Sequence, residues 1–186
     1  MHMPTENLPV PLSETDNILN HNNQQQFLTF NVQGELFAIG ILNIKEIIEY
    51  GNLTSVPMMP DFVQGVINLR GNVVPVIDLA LRFGRQPSDM TRRTCIVILE
   101  VASDTENETQ DIGIIVDSVS EVLDIATTDI ECPPTFGAKI RSDFIMGMGK
   151  IGQANFVVIL NIQNVLSVEE ISFLAQPNLD EKVILF

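Results

Sequence analysis

The sequence contains no tryptophan, one tyrosine, two cysteines and two histidines. With so few aromatic residues the core must be built from valine, isoleucine and leucine, which favours β structure. Both histidines, His2 and His21, lie near the N-terminus, so neither is placed to serve a nucleophile or a metal in a folded site. The cysteines form no Cys-x-x-Cys pair, and no cluster has the spacing of metal ligands. We therefore expect no metal, no cofactor and no catalytic residues.

Basic residues are also scarce. The chain has 10 Lys and Arg against 24 Asp and Glu, a net charge of −14. Nucleic acids and anionic lipids reward a positive protein surface, so neither is expected as a partner. Apolar runs are far shorter than the roughly 20 residues that a membrane-spanning helix needs, and no secretory signal is present. These features predict a soluble cytoplasmic protein without membrane insertion.

The composition divides the chain into three parts. Residues 1–26 are rich in Asn, Gln and Pro, lack Lys and Arg, and are predicted to form a flexible tail. Residues 27–174 are predicted to be the folded part, and residues 175–186 a C-terminal tail. At 186 residues, 45% of them apolar, the chain fits one domain or two small joined ones.

Apolar runs bounded by turn residues predict strands at 27–32, 36–39, 95–101 and 111–116. The segment 102–110 holds three acidic residues but lacks the spacing of a calcium loop, so it is interpreted as a solvated hairpin loop. A short helix starting at Asp78 should end at Gly84. Ser167 and Glu170 match a capping box that opens another helix.

Three segments of the chain recur in the same order at nearly the same separation. The pairs are IKEII with VSEVL, DFVQG with DFIMG, and VIDL with ILNI. This repetition predicts two similar β units. A single small barrel buries too little apolar surface to be stable, whereas two barrels that share a core bury more.

A duplicated β protein also invites a hydrolase interpretation, in which two carboxylates share a proton. Here Asp78 has Asn161 as its counterpart, which cannot take up a proton. A small acidic hydrolase that uses Asp78 is therefore the weaker alternative. The segment Gly147-Met148-Gly149-Lys150 lacks the spacing of a phosphate-binding loop and is interpreted as a β turn.

The most informative segment is GVINLRGNVVPVIDL, residues 65–79. It predicts a hairpin with strands at 66–69 and 73–77, and Gly71-Asn72 is expected to supply the positive φ of the turn. Arg70 lies at the bend and is, with Lys45, one of only two basic residues in the first 80 positions. A guanidinium held on a rigid turn of an acidic protein suggests a recognition element.

This hairpin, together with FLTF, FAI, IKEI, the Val56-Pro57 and Pro60 segment, GIIVD and GMG, resembles the CheW family of bacterial chemotaxis coupling proteins. The resemblance runs from about residue 27 to residue 174. The same fold forms the regulatory domain of the kinase CheA and the front half of CheV-type proteins. The chain has no room for a kinase or receiver domain, which favours a stand-alone coupling protein.

The resemblance implies a mainly β fold of two SH3-like five-stranded barrels in pseudo-twofold arrangement, with short helices that include a C-terminal one. It implies a non-enzymatic adaptor between chemoreceptor tips and the histidine kinase CheA, monomeric when free and recruited from the cytoplasm to membrane-associated receptor arrays. An alternative is the coupling protein of another chemosensory pathway, one that controls pilus motility or a second messenger.

Site residues carried over from the family fall into two groups. The receptor-binding group is Ile44, Glu46, Ile47, Arg70, Gly113 and Val119. The kinase-binding group is Leu53 and Phe136, where Phe136 is either an exposed anchor or a buried loop residue. Arg70 has a second possible role as a brace to Glu46, and both roles are compatible because a guanidinium has five donors.

Overall fold

The computed structural model describes residues 23–103, 107–135 and 139–175, whose strands form two sheets. Sheet I takes its strands from both ends of the folded chain, whereas all strands of sheet II lie between Ile44 and Val116. The strands of sheet I are β1 (Gln24–Val32), β2 (Glu35–Gly40), β8 (Ser118–Ala126), β9 (Ile130–Glu131), β10 (Ile145–Ile151) and β11 (Asn155–Leu160). The strands of sheet II are β3 (Ile44–Glu49), β4 (Val63–Leu69), β5 (Asn72–Asp78), β6 (Cys95–Ala102) and β7 (Thr109–Val116).

The two sheets have the same internal order, which accounts for the repeated segments. Sheet I runs β8-β1-β2-β11-β10-β9, and sheet II runs β3-β6-β7-β5-β4. Each contains one parallel pair, β2 with β11 and β5 with β7, at the same place in the order. The repeated segments fall on β3 and β8, on the starts of β4 and β10, and on the ends of β5 and β11. Sheet II has the five strands expected, and sheet I adds the two-residue strand β9.

The described residues form three apolar clusters, of which one joins the two sheets. One lies inside the curl of sheet I and contains Phe27 and Ile159, and a second lies inside sheet II and contains Val76 and Ile98. The third and largest is shared between the sheets. A strand such as β6 therefore buries both faces, since Ile96 and Ile98 point into sheet II while its other apolar residues face the shared core. This double burial explains why β6 reads as an uninterrupted apolar run.

The described part of the chain contains three short α-helices: α1 (Leu79–Arg82) directly after β5, and α2 (Ile162–Val165) and α3 (Val168–Ala175) after β11. Asp78 caps α1 and Asn161 caps α2, each through its side-chain oxygen. The chain leaves α1 through Gly84 at φ 76°, as the C-cap prediction required. At α3 the Ser167 Oγ accepts a hydrogen bond from the Glu170 backbone N–H at 3.3 Å, which is half of the predicted capping box.

Two predictions about local structure are wrong. Gln24–Gln26 belong to β1 and pair with Asp124–Ala126, so the folded part starts before residue 27. Polar side chains do not prevent strand pairing, because the backbone supplies the hydrogen bonds. Gly147–Lys150 lies within β10, and glycine is needed there for space: a Cβ at Gly149 would lie 2.8 Å from Ile125 Cδ1. Ala175, the first residue of the predicted C-terminal tail 175–186, is the last residue of α3. The rest of that tail, and residues 1–22 of the predicted N-terminal tail 1–26, lie outside the described residues.

Candidate partner-binding site

Arg70 occupies a two-residue turn between β4 and β5. Leu69 pairs with Asn72, so Arg70 and Gly71 form the loop, with φ of 51° and 90°. Two positive φ values in succession are the property of a type I′ hairpin turn. The turn was predicted correctly, but its positive φ lies one residue earlier than expected because Asn72 already belongs to β5. The Asn68 Oδ1 accepts a hydrogen bond from the Gly71 N–H at 2.9 Å and stabilises the turn.

The Arg70 guanidinium reaches across to β3, on the opposite edge of sheet II. Its Nη1 and Nη2 donate to the two carboxylate oxygens of Glu46 at 2.8 and 3.1 Å. This paired geometry confirms the predicted brace between hairpin and strand. The Arg70 side chain is nevertheless 77% exposed. Only two of its five donors bind Glu46, so the same guanidinium has further N–H groups to offer a partner.

A second ion cluster, which the sequence analysis missed, lies next to this pair. The Lys45 Nζ is 2.8 Å from Asp111 Oδ1 and 3.0 Å from Glu100 Oε1. The hydrogen bond to Asp111, followed by that to Glu100, raises the pKa of Lys45. A register shift between Ile44 and Glu46 interrupts the side-chain alternation of β3 at Lys45. The two acidic partners come from β6 and β7, so only strand pairing brings them to Lys45.

The apolar receptor-site residues divide between exposed and packed positions. Ile47 is 43% exposed on β3, beside Glu46. Ile44 of sheet II and Val119 of sheet I are both half-buried against the shared core. Ile44 on β3 and Val119 on β8 therefore each pack against the core that the two sheets share. Glu46 lies on β3 of sheet II, and Arg70 lies on the turn between β4 and β5 of the same sheet.

Gly113 is placed differently from the other receptor-site residues. It is buried in β7, where a Cβ would lie 2.7 Å from Ile96 Cγ2. It is therefore enclosed by sheet II and offers no side chain to a partner.

Of the two residues expected to bind the kinase, the structure describes only Leu53. Leu53 is half-buried and packs against the interior cluster of sheet II. It precedes Thr54, which forms a backbone bridge to Val66 of β4. Phe136 lies outside the described residues.

Asp78, the residue that a hydrolase would need, has its carboxylate occupied by hydrogen bonds within the fold. One carboxylate oxygen accepts from the Ala80 N–H at 2.9 Å and from the Ser88 hydroxyl at 2.8 Å. The other accepts from the Ser88 N–H at 2.9 Å. The side chain is fully buried and engaged in capping α1 and anchoring the following loop. Across the described part of the chain, no group of His, Cys, Asp and Glu is arranged to hold a metal ion.

One domain family and several known proteins match this chain. The model of the CheW-like domain matches residues 26–170. Chemotaxis protein CheW of Klebsiella aerogenes is 33% identical over 148 residues, which cover 80% of this chain and 85% of that protein. Chemotaxis protein CheW of Helicobacter pylori is 34% identical, with coverage of 76% and 81%. The crystal structure of the scaffolding protein TtCheW from Thermoanaerobacter tengcongensis matches with a TM-score of 0.67 at 31% identity, covering 76% of this chain and 86% of that one.

Proposed function

The chain belongs to the CheW-like domain family, and from this premise we propose that it is a non-enzymatic adaptor that couples chemoreceptor tips to the histidine kinase CheA. The observation that carries the proposal is the exposed Arg70 on its two-residue turn, paired to Glu46 of β3. An exposed guanidinium that keeps further N–H donors suits recognition of a polar group on a protein partner. The similar protein TtCheW is a scaffolding protein, which agrees with this function.

We propose that the receptor binds in a groove between the two sheets, the receptor groove, to which both sheets contribute. Ile44, Glu46, Ile47 and Arg70 come from sheet II, and Val119 comes from sheet I. An amphipathic helical hairpin is the expected ligand, because its apolar anchors can enter the groove while its polar face meets Arg70. Gly113 does not contact the receptor in this proposal. It affects the receptor groove only by allowing β7 to pack closely against its neighbours.

The kinase-binding surface is proposed at Leu53 and Phe136, away from the Arg70 turn in sequence. An adaptor that holds two partners in one assembly lets small receptor shifts bias the conformations of the kinase. No helix in the described part of the chain is long and apolar enough to cross a membrane. We propose that the protein acts in the cytoplasm and joins the receptor array through its receptor-binding surface.

The receptor surface is tested by Arg70→Glu. We expect the affinity for a soluble receptor cytoplasmic fragment to fall by roughly tenfold to a hundredfold, because the substitution removes a guanidinium and places two carboxylates together. Titration calorimetry measures the affinity, and circular dichroism checks the fold. Arg92→Glu is the matched control, since it makes the same charge change at another exposed arginine. An unchanged receptor affinity in Arg70→Glu would contradict the proposed surface.

The exchange Glu46→Arg with Arg70→Glu separates the two roles of Arg70. It restores the ion pair with reversed polarity, so a purely bracing role predicts that receptor binding returns. A direct contact predicts that binding stays weak. Affinity for the kinase regulatory domain is measured in parallel and should remain at the wild-type level in every variant, because neither Leu53 nor Phe136 is changed.

A further inference from the structure

Arg82 is a buried cation outside the proposed binding surfaces. It is the last residue of α1, and its side chain is only 4% exposed. The Nε donates to the Val165 carbonyl at 2.8 Å, and Nη1 donates to Glu170 Oε1 at 3.1 Å. The Nη2 lies 3.1 Å from Glu170 Oε2. Helix α1, which ends at Arg82, comes directly after β5 of sheet II. The hydrogen-bonding partners of Arg82, however, belong to α2 and α3, which come after β11 of sheet I.

The internal repeat shows where this guanidinium lies. Arg82 and Val165 have the same separation in sequence as the two capping residues, Asp78 and Asn161. Arg82 therefore donates its Nε hydrogen bond to its own counterpart in the other half. It also lies 4.8 Å from the ring centroid of Phe62 and 4.7 Å from that of Phe144.

These two rings are themselves counterparts in the repeated DFVQG and DFIMG segments. The Arg82 guanidinium is almost equally far from two rings that correspond to each other in the repeat, and it donates a hydrogen bond to the residue that corresponds to Arg82 itself. It therefore lies close to the pseudo-twofold axis that relates the two halves. Arg82 thus marks the place where the two halves of the molecule meet.

The symmetry is broken at this point for an electrostatic reason. Two arginines facing each other across the axis would place like charges in a buried site. The chain instead has one arginine and one valine, and supplies a carboxylate from α3. Within the described residues no helix follows α1 in the way that α3 follows α2, so Glu170 has no counterpart.

Glu170 is held from a second direction by Arg141, whose Nη1 donates to its Oε1 at 2.6 Å. Arg141 in turn pairs with Asp143, immediately before β10. The hydrogen bond from Arg82, more than that from Arg141, lowers the pKa of Glu170 against the opposing effect of burial. The ion cluster therefore ties α1, α3 and the start of β10 together.

We infer that Arg82 is a positioning residue that, through Glu170, fixes the relative orientation of the two sheets and thereby the width of the receptor groove. The second part rests on the proposed function. The proposed receptor groove takes Ile44 and Glu46 from sheet II and Val119 from sheet I, so under that proposal its width depends on how the sheets are placed. An apolar core resists separation of the sheets but specifies their angle weakly, whereas a forked donor with fixed acceptors is directional.

The inference is tested by a distance measurement between the sheets. Spin labels are attached to cysteines introduced at Ile47 on β3 and Val122 on β8, which are 43% and 51% exposed, after Cys95 and Cys132 are replaced by serine. Electron paramagnetic resonance then gives the distance distribution in the full chain. We expect one narrow distance with Arg82, a broadened or shifted distribution in Arg82→Met, and partial recovery in Arg82→Lys.

Arg82→Met leaves Glu170 paired with Arg141, so no carboxylate loses its last cation. Arg92→Met is the control for loss of an exposed arginine and should leave the distribution unchanged. Should Arg82→Met fail to fold, Glu170→Gln is measured in its place, with the same broadening expected. A narrow, unshifted distribution in a folded variant overturns the inference.

A second measurement uses unlabelled protein and the receptor fragment. Arg82→Met is expected to bind roughly tenfold more weakly, with a partial return of affinity in Arg82→Lys. If the spin-label distances of Arg82→Met broaden but its receptor affinity is unchanged, the proposed effect on the receptor groove is overturned. The role of Arg82 in orienting the sheets would then still hold. Because the distance measurement involves no partner, its result is independent of the Arg70→Glu test of the proposed function.

Discussion

Gly113 lies in β7 where neighbouring side chains already occupy the space of a Cβ. That position would be 2.7 Å from Ile96 Cγ2 and 3.3 Å from both Ile98 Cδ1 and Val76 Cγ2. These contacts belong to the interior cluster of sheet II. The residue was assigned to the receptor site by resemblance, but its surroundings indicate that it affects the site only through packing.

Gly113→Ala is predicted to destabilise the fold by about 1–3 kcal/mol, because an added methyl group must displace a packed side chain. Urea denaturation measures the change. Receptor affinity per folded molecule should stay at the wild-type value. Gly51→Ala is the control, since a Cβ there meets nothing within 4 Å. A loss of affinity without a loss of stability would assign Gly113 a direct role.

At the scale of elements, α3 is joined to the rest of the molecule by charge as well as by apolar contacts. Val168 and Ile171 pack against the shared core, while Glu170 bonds to Arg82 and Arg141. The hydrogen bond from Arg141 is also the main cause of the lowered pKa of Asp143. Both carboxylates thus hold protons less readily in the folded chain than in the unfolded one.

This difference predicts how stability depends on pH. The unfolded chain binds more protons near the ordinary carboxyl pKa, 4.5 for Glu170, so stability increases with pH in that range. The contribution of the cluster is complete above this range and is lost as the pH falls through the lowered pKa. Glu170→Gln should therefore cost about 1–3 kcal/mol at neutral pH, and its stability should vary less between pH ~3 and ~5.

Thermal and urea unfolding across this pH range measure both effects. Glu169→Gln on the same helix is the control, because Glu169 is exposed. Equal pH profiles for Glu170→Gln and the wild-type chain would show that the cluster contributes nothing through ionisation.

At the scale of the whole molecule, each sheet depends on the other. Sheet II is continuous in sequence, but one face of its central strands belongs to the shared core. The residues that would become exposed without sheet I are Val97, Leu99, Val101, Ile112, Ile114 and Val116. Burying each such side chain is worth about 1.5–3 kcal/mol, so their exposure is costly for so small a unit.

Residues 41–117 expressed alone are therefore predicted to lack a cooperative thermal transition and to bind the dye ANS. Replacing Val97, Leu99 and Ile114 by threonine in this fragment should reduce dye binding, since the interior cluster of sheet II stays intact. Calorimetry and ANS fluorescence provide the measurements. A sharp transition in the unmodified fragment would show that sheet II folds independently.

Local features of the sequence predicted most of the fold. The turn at Arg70-Gly71, the cap at Asp78 and the start of α3 at Ser167 each depend on residues within a few positions, so their signals are visible in the sequence. The Arg70–Glu46 brace was also anticipated, with the resemblance as its guide. Lys45 with Asp111, and Arg82 with Glu170, were missed because each pair joins residues that are distant in sequence.

The sequence by itself determined strands β1, β2 and β4–β7, the turn at Arg70-Gly71, the repeat and the absence of a recognisable catalytic motif, since each of these is a pattern of residues along the chain. Only the tertiary structure decided which face of β6 and β7 points into the interior cluster of sheet II and which points into the shared core. Both faces are apolar, so no alternation distinguishes them. Only the tertiary structure placed β1 and β2 with β8–β11 and brought Arg82 to the axis between the halves. Pairing across such distances depends on the packing of the whole chain.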